Sequence, residues 1–171
     1  MNTKKWTALD LVQIALVAGL YVALTLTPPL NAIAYGAYQF RVSEMLNFLV
    51  FYNRKYIIAV TIGCMIANFY SFEWIDVFVG GGSTLVFVTL GVILFEKYRN
   101  ERALGGLINR AFFYFSIFFA LSMFTIALEL NILYQLPFLL TWFTTGVGEL
   151  ASLLVGAFVI ERLAKQIDFT K

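Results

Sequence analysis

The chain has 171 residues and a mean hydropathy of +0.83, with 61% hydrophobic and 13% charged residues. Soluble domains carry about 25% charged residues, so the composition excludes a soluble protein and indicates an integral membrane protein. The lack of histidine excludes His-based metal sites and triads, the single Cys64 excludes an internal disulfide or cysteine metal cluster, and the net charge of +2 is too small to indicate nucleic-acid binding.

The hydropathy pattern predicts one all-α membrane domain over residues 1–171. A bilayer core of about 30 Å needs about 20 apolar residues per helix, which leaves room for a bundle of six transmembrane helices and little else. The first apolar run ends at Pro28-Pro29, which stops a helix. The predicted spans are 8–27, 41–53, 56–72, 83–97, 109–128 and 137–160.

Three unusual loops separate these spans. Residues 30–40 are less polar than an aqueous loop, and the span after them is short, so this loop should dip into the protein. Residues 73–82 contain three consecutive glycines, which permit tight backbone conformations and predict a second loop. A third loop is expected at 129–136.

The distribution of Lys and Arg predicts the orientation. With the N-terminus in the cytoplasm, all of the twelve cations except Arg41 fall on the inner side. Both termini are then cytoplasmic, and the three loops gather on the outer face.

Arg41 and Glu44 are charges at the entrance of the second span. An uncompensated charge at that depth costs about 2.5–3.5 kcal/mol on insertion scales. The two residues are three apart and can face each other across one helical turn, so they form either a structural ion pair or part of a polar pocket.

Further acids lie on the outer side, namely Asp76, Glu129 and Glu149. Glu149 belongs to a helical face whose other members are small or polar, with one indole. Small residues such as Ser152 and Gly156 allow close helix packing, but packing does not account for a carboxylate. The face comprises Trp142, Thr145, Gly146, Glu149, Ser152 and Gly156.

Carboxylates, one arginine, the amides of Gln39 and Asn68 and an aromatic wall at Trp142 suit a flat, nitrogen-rich, cationic small molecule. No nucleophile is paired with a base, so the sequence does not support catalysis. Two other classes stay open: a small intramembrane enzyme with Glu44 and Glu149 as acid and base, and a structural scaffold whose deep charges pair.

The first span carries a stripe of small residues, Ala15, Gly19 and Ala23. This small-xxx-small spacing lets a second helix approach closely, within the chain or from a partner.

The run Tyr38-Gln39-Phe40-Arg41-Val42-Ser43-Glu44, together with the small-residue stripe and the six-span layout, resembles the QueT family. This family belongs to the substrate-binding S-components of energy-coupling factor (ECF) transporters. The resemblance implies a bacterial plasma-membrane protein that takes up a queuosine precursor such as 7-aminomethyl-7-deazaguanine. It implies binding on the outer face, under loops that follow spans one, three and five, and inward release by toppling.

The resemblance also implies partners and residue roles. A transmembrane T-component would dock on Ala15, Gly19 and Ala23, and two separate ATPases would supply energy. This agrees with the run Gly80-Gly81-Gly82-Ser83-Thr84, which lacks the lysine of a phosphate loop. No cofactor is implied. The rival within transport is an S-component for another flat vitamin, thiamin-like or flavin-like. The implied substrate contacts are acceptors at Glu44, Glu129 and Glu149, help from Asp76, orientation by Arg41, edge contacts from Gln39 and Asn68, and stacking on Trp142.

Overall fold

The computed structural model describes residues 6–35, 38–71 and 74–170, with only the backbone of Ser71. Residues 72 and 73, at the end of the third predicted span and the start of the second predicted loop, lie outside the described residues. The helices are α1 (Ala8–Leu26), α2 (Pro28–Ala34), a 3₁₀ helix (Val42–Phe51), α3 (Tyr56–Ser71), α4 (Trp74–Phe95), α5 (Arg110–Ser122), α6 (Phe124–Tyr134) and α7 (Phe138–Leu163).

Within the described residues, four helical segments are long and apolar enough to cross a membrane: Ala8–Leu26, Trp74–Tyr98, Arg110–Tyr134 and Phe138–Leu163. Val42–Phe51 and α3 are apolar but shorter. Between α4 and α5, two residues of β1 (Arg102–Ala103) pair antiparallel with β2 (Ile108–Asn109). The all-α bundle predicted from the sequence is therefore found over the described residues, with four segments long enough to cross a membrane and two shorter apolar helices, and the count of six spans stays a prediction.

The 3₁₀ helix Val42–Phe51, called the central 3₁₀ helix below, forms the middle of the bundle. It contacts α1, α3, α4 and α7, and every residue from Leu46 to Phe51 is buried. Phe48 stacks on Phe112 of α5 with ring centroids 4.4 Å apart. A 3₁₀ helix rises about 2.0 Å per residue, against about 1.5 Å in an α-helix, so its ten residues cover roughly 20 Å. The tighter winding compensates for the short sequence.

The predicted loop at 73–82 is wrong, because α4 is already helical from Trp74. The glycines serve close packing on α3 instead of a turn. A Cβ at Gly80 would lie 2.2 Å from Asn68 Nδ2, and one at Gly81 would lie 2.3 Å from Met65 Cγ. Only residues without a side chain permit this approach of the two helices.

The predicted loop at 129–136 is also wrong over most of its length, because α6 continues to Tyr134. The helical segment changes direction earlier, at Met123, between α5 and α6. α6 ends at Gln135, which adopts a left-handed conformation with φ 56°, and Asn131 Nδ2 donates to the Leu136 carbonyl at 2.6 Å. Glu129 therefore lies within a helix.

The loop predicted at 30–40 begins as helix α2. Pro28 and Pro29 end α1 as expected, but they also occupy the first turn of α2, where proline is favoured because its missing N–H is not needed.

Ion pairs hold the basic end of the bundle. Lys55 Nζ donates to Asp10 Oδ1 at 2.8 Å and also to Gln13, which ties the start of α1 to the segment before α3. Three further pairs are more exposed: Arg54–Glu96, Arg102–Glu161 and Arg110–Glu101.

Candidate functional site

Glu44 lies on the central 3₁₀ helix and is only 2% exposed. The Tyr21 hydroxyl of α1 donates to Glu44 Oε1 at 2.5 Å, and Asn47 Nδ2 donates to Glu44 Oε2 at 2.6 Å. Residues three apart line up along a 3₁₀ helix, which places Asn47 beside Glu44. Each carboxylate oxygen of Glu44 thus already accepts a hydrogen bond from the protein.

Arg41 precedes the central 3₁₀ helix and stands over the ring of Tyr35, with Cζ 4.9 Å from the ring centroid. Its Nε donates weakly to the Ala34 carbonyl at 3.5 Å. Among the described residues, the four ion pairs do not include Arg41 with Glu44, so the structural ion pair considered above is not formed. Arg41 nevertheless interacts electrostatically with Glu44, Glu129 and Glu149, which gathers the predicted acids around one guanidinium.

Glu149 of α7 is 1% exposed, and its Oε1 has no hydrogen-bond partner among the described residues. It also interacts electrostatically with Glu44. A buried polar atom without a partner is uncommon in a folded protein, and it commonly marks a place that a ligand or water completes.

Glu129 of α6 is 5% exposed, and neither of its carboxylate oxygens has a hydrogen-bond partner in the part of the chain that the structure describes. The carboxyl group of Asp76, in the first turn of α4, lies beside it. Four carboxyl groups thus share this region with a single guanidinium, and such a region favours a bound cation.

The segment 38–41 rests directly on α7. A Cβ at Gly148 would lie 1.2 Å from the Tyr38 carbonyl oxygen, and the Ser152 hydroxyl donates to the Arg41 carbonyl. One turn further, a Cβ at Gly156 would lie 2.4 Å from Met45 Cβ. Ser152 and Gly156 therefore serve packing, which was one of the two interpretations of this face, and they fix the position of Arg41.

Gln39 has φ 42°, a left-handed conformation that is uncommon outside glycine. With Tyr35 and Tyr38 it lines a cavity of about 600 Å³ that the end of α6 and the start of α7 complete. Thr141 and Thr145 line the same cavity, two turns and one turn before Glu149 on α7. The cavity is wide enough for a small planar molecule.

Asn68 and Trp142 both have protein partners. Asn68 Nδ2 donates to the Asp76 carbonyl at 3.1 Å, and Asn68 Oδ1 accepts from the Tyr35 hydroxyl at 3.3 Å. Trp142 Nε1 donates to the Leu121 carbonyl at 3.0 Å, and its ring packs against Phe124 and Phe138. In this structure the two side chains hold helices together, and their contacts with a substrate stay a prediction.

The small-residue stripe of α1 faces away from the bundle. Ala15, Gly19 and Ala23 are all exposed, and a Cβ at Gly19 would meet nothing within 4 Å. Contacts with α3 come from the opposite face, where Gly63 packs against Ala18 and Tyr21. The intrachain packing considered for this stripe is therefore not observed among the described residues.

Sequence reasoning missed three residues of the site: Tyr21, Asn47 and Gly148. Asn47 could have been found, because it stands three residues after Glu44 in an apolar segment. Tyr21 and Gly148 reach the site only through the packing of α1 and α7 on the central 3₁₀ helix, and no local pattern marks them.

Comparison with known proteins gives two matches. The family model described as QueT transporter matches residues 11–165. The queuosine precursor transporter QueT of Lactococcus lactis subsp. cremoris is 60% identical over 168 residues, which cover 98% of this chain and 99% of that protein. No solved structure gives a significant match. Both matches are transporters, not enzymes.

Proposed function

The chain belongs to the QueT transporter family and is a multi-pass membrane protein, and we propose that it is the substrate-binding subunit of an ECF-type importer for a queuosine precursor. The substrate class is a 7-deazaguanine base such as 7-aminomethyl-7-deazaguanine. The name of the relative from Lactococcus lactis supports this class, and so does the chemistry of the site.

One observation carries the proposal: Glu44, Glu129 and Glu149 are all buried, and all interact electrostatically with Arg41. A deazaguanine offers N–H groups along one edge, and an aminomethyl substituent adds an ammonium. Carboxylates accept from N–H groups and stabilise the positive charge. Arg41 orients the acids or donates to the ring carbonyl, and Gln39 contacts a ring edge from the cavity.

The proposed topology has six spans within a single membrane domain and both termini in the cytoplasm. It rests on the excess of Lys and Arg at one end of the bundle. The central 3₁₀ helix would serve as the second span, since roughly 20 Å of 3₁₀ helix approaches the thickness of the hydrocarbon core. In this topology the acids lie in the outer half of the membrane domain.

The proposed partners are a transmembrane T-component and two ATPase subunits. The exposed face of α1, with Ala15, Gly19 and Ala23, would receive the T-component, because small residues permit a close helix–helix approach. Toppling of the loaded subunit against this partner would release the substrate inward.

A binding titration tests the proposal. Protein purified in nanodiscs is titrated with 7-aminomethyl-7-deazaguanine, guanine and thiamin, and any small molecule that co-purifies is identified by mass spectrometry. We expect tight binding of the deazaguanine and weaker binding of guanine. Tight binding of thiamin, with no response to the deazaguanine, would instead identify an importer for another vitamin.

A further inference from the structure

The acids of the candidate site differ in how many hydrogen bonds they already accept from the protein. Glu44 accepts from Tyr21 and Asn47. Glu129 accepts from no described donor through either oxygen, although it is 5% exposed. Glu129 is therefore the acid with the most unused acceptor capacity.

Asp76 is the second acid at this position, and the two carboxyl groups have little positive charge beside them. It stands in the first turn of α4, and its carboxyl group lies beside that of Glu129 across the α4–α6 interface. Two neighbouring carboxylates repel each other unless a proton or a cation lies between them. Arg41 can offset only one carboxylate, and it also faces Glu44 and Glu149.

Glu129 also borders open space. It lines a groove of about 570 Å³ between α4 and α6, and the other polar side chains of that groove are Ser83 and Thr125. The Ser83 hydroxyl donates to Thr125 at 2.9 Å, so these two groups satisfy each other. The Glu129 side chain thus borders this groove, while both of its carboxylate oxygens are buried.

We infer that Asp76 and Glu129 together form the subsite for the primary ammonium group of the substrate. An ammonium has three N–H donors and one positive charge, which suits two adjacent carboxyl groups that form none of the ion pairs of the described residues. Glu149, which also interacts with Arg41, then accepts from the ring edge. This inference rests on the proposed function, and it assigns the acids that the sequence left undivided.

The test compares two ligands of similar shape, 7-aminomethyl-7-deazaguanine and the neutral 7-methyl-7-deazaguanine, by calorimetry on the full chain in nanodiscs. The wild type should prefer the aminomethyl compound. Glu129→Gln should reduce that preference by about tenfold or more, because it removes a charged acceptor from the ammonium. Asp76→Asn, at a less buried position, should do the same and keeps the test decisive if Glu129→Gln fails to fold.

Two further variants separate the subsite from general effects. Glu149→Gln should weaken both ligands alike, and Glu96→Gln, at the basic end of the bundle beside Arg54, should change neither. A wild-type protein that binds both compounds equally, or acid variants that keep the full preference for the aminomethyl compound, would overturn the inference while the proposed function stands. A wild-type protein that binds neither compound would overturn the proposed function, and the subsite with it.

Discussion

The Tyr21 hydroxyl of α1 lies 2.5 Å from Oε1 of Glu44 on the central 3₁₀ helix. Both residues are buried, and the bond joins elements 23 positions apart in the sequence. Beside it, the hydroxyl groups of Thr25 and Ser43 lie 2.7 Å apart. The buried face of α1 is therefore hydrogen-bonded to Ser43 and Glu44, which follow Arg41 closely in the sequence.

Tyr21→Phe should lower the stability of the protein. The substitution leaves a buried carboxylate oxygen without its donor, and an unsatisfied buried group costs about 1–3 kcal/mol. The measurement is the midpoint of thermal unfolding in detergent. Tyr70→Phe is the matched control, because Tyr70 is 74% exposed, and its midpoint should stay at the wild-type value. Equal midpoints for Tyr21→Phe and the wild type would show that the bond adds nothing.

Lys55→Met and Arg54→Met test neighbouring ion pairs that differ in burial. Lys55 is buried against Asp10, and removing one partner of a buried pair costs about 3 kcal/mol or more. The Arg54–Glu96 pair is half-exposed, and such pairs contribute about 0–1 kcal/mol. Thermal unfolding should therefore separate the two variants clearly. A larger loss for Arg54→Met would contradict the assignment of Lys55 as the anchor of α1.

Gly148→Ala should displace the segment that carries Gln39 and Arg41. The added Cβ would lie 1.2 Å from the Tyr38 carbonyl oxygen, so the backbone must move. Overpacking of this kind costs about 1–3 kcal/mol, and ligand affinity should fall with stability.

Gly82→Ala is the control for Gly148→Ala, since a Cβ there meets nothing within 4 Å. In a helix interior this change gains about 0.5–1 kcal/mol or leaves stability unchanged. Unfolding and ligand titration of both variants make the comparison. Wild-type affinity in Gly148→Ala would show that the segment 38–41 does not position the site.

Ala15→Leu and Gly19→Leu should leave ligand binding intact and abolish uptake by cells that contain the energising subunits. Both positions are exposed on α1, so a larger side chain disturbs only what docks there. Ile93→Phe, on the exposed face of α4, is the control and should keep normal uptake. Normal uptake in both α1 variants would refute docking on this face.

The order of the helices could be predicted from sequence because hydropathy and proline positions are local signals. The prediction of loops failed where one residue type occurs in two structural contexts. Gly80 and Gly81 suggested a turn, but they mediate helix contact with Asn68 and Met65. Glu129 stands at the start of a predicted loop, but it is a buried helical residue, since its depth depends on neighbours that the sequence pattern does not reveal.

The acids of the candidate site could be identified because a carboxylate in an apolar run is costly to bury unless a partner or a ligand compensates its charge. The role of each acid could not be predicted, because it depends on side chains that other helices contribute. Tyr21 belongs to α1 and Asp76 to α4, and neither is near Glu44 or Glu129 in sequence.

The winding of the central 3₁₀ helix has a consequence for insertions and deletions. Successive side chains turn by about 120°, so Glu44 and Asn47 form a column, whereas α-helical winding would rotate Asn47 by about 60° away from Glu44. One residue added between them would turn Asn47 and the aromatic residues beyond it, Phe48 and Phe51, to other faces. Length variation should therefore be far more harmful in this segment than in the connection between β1 and β2.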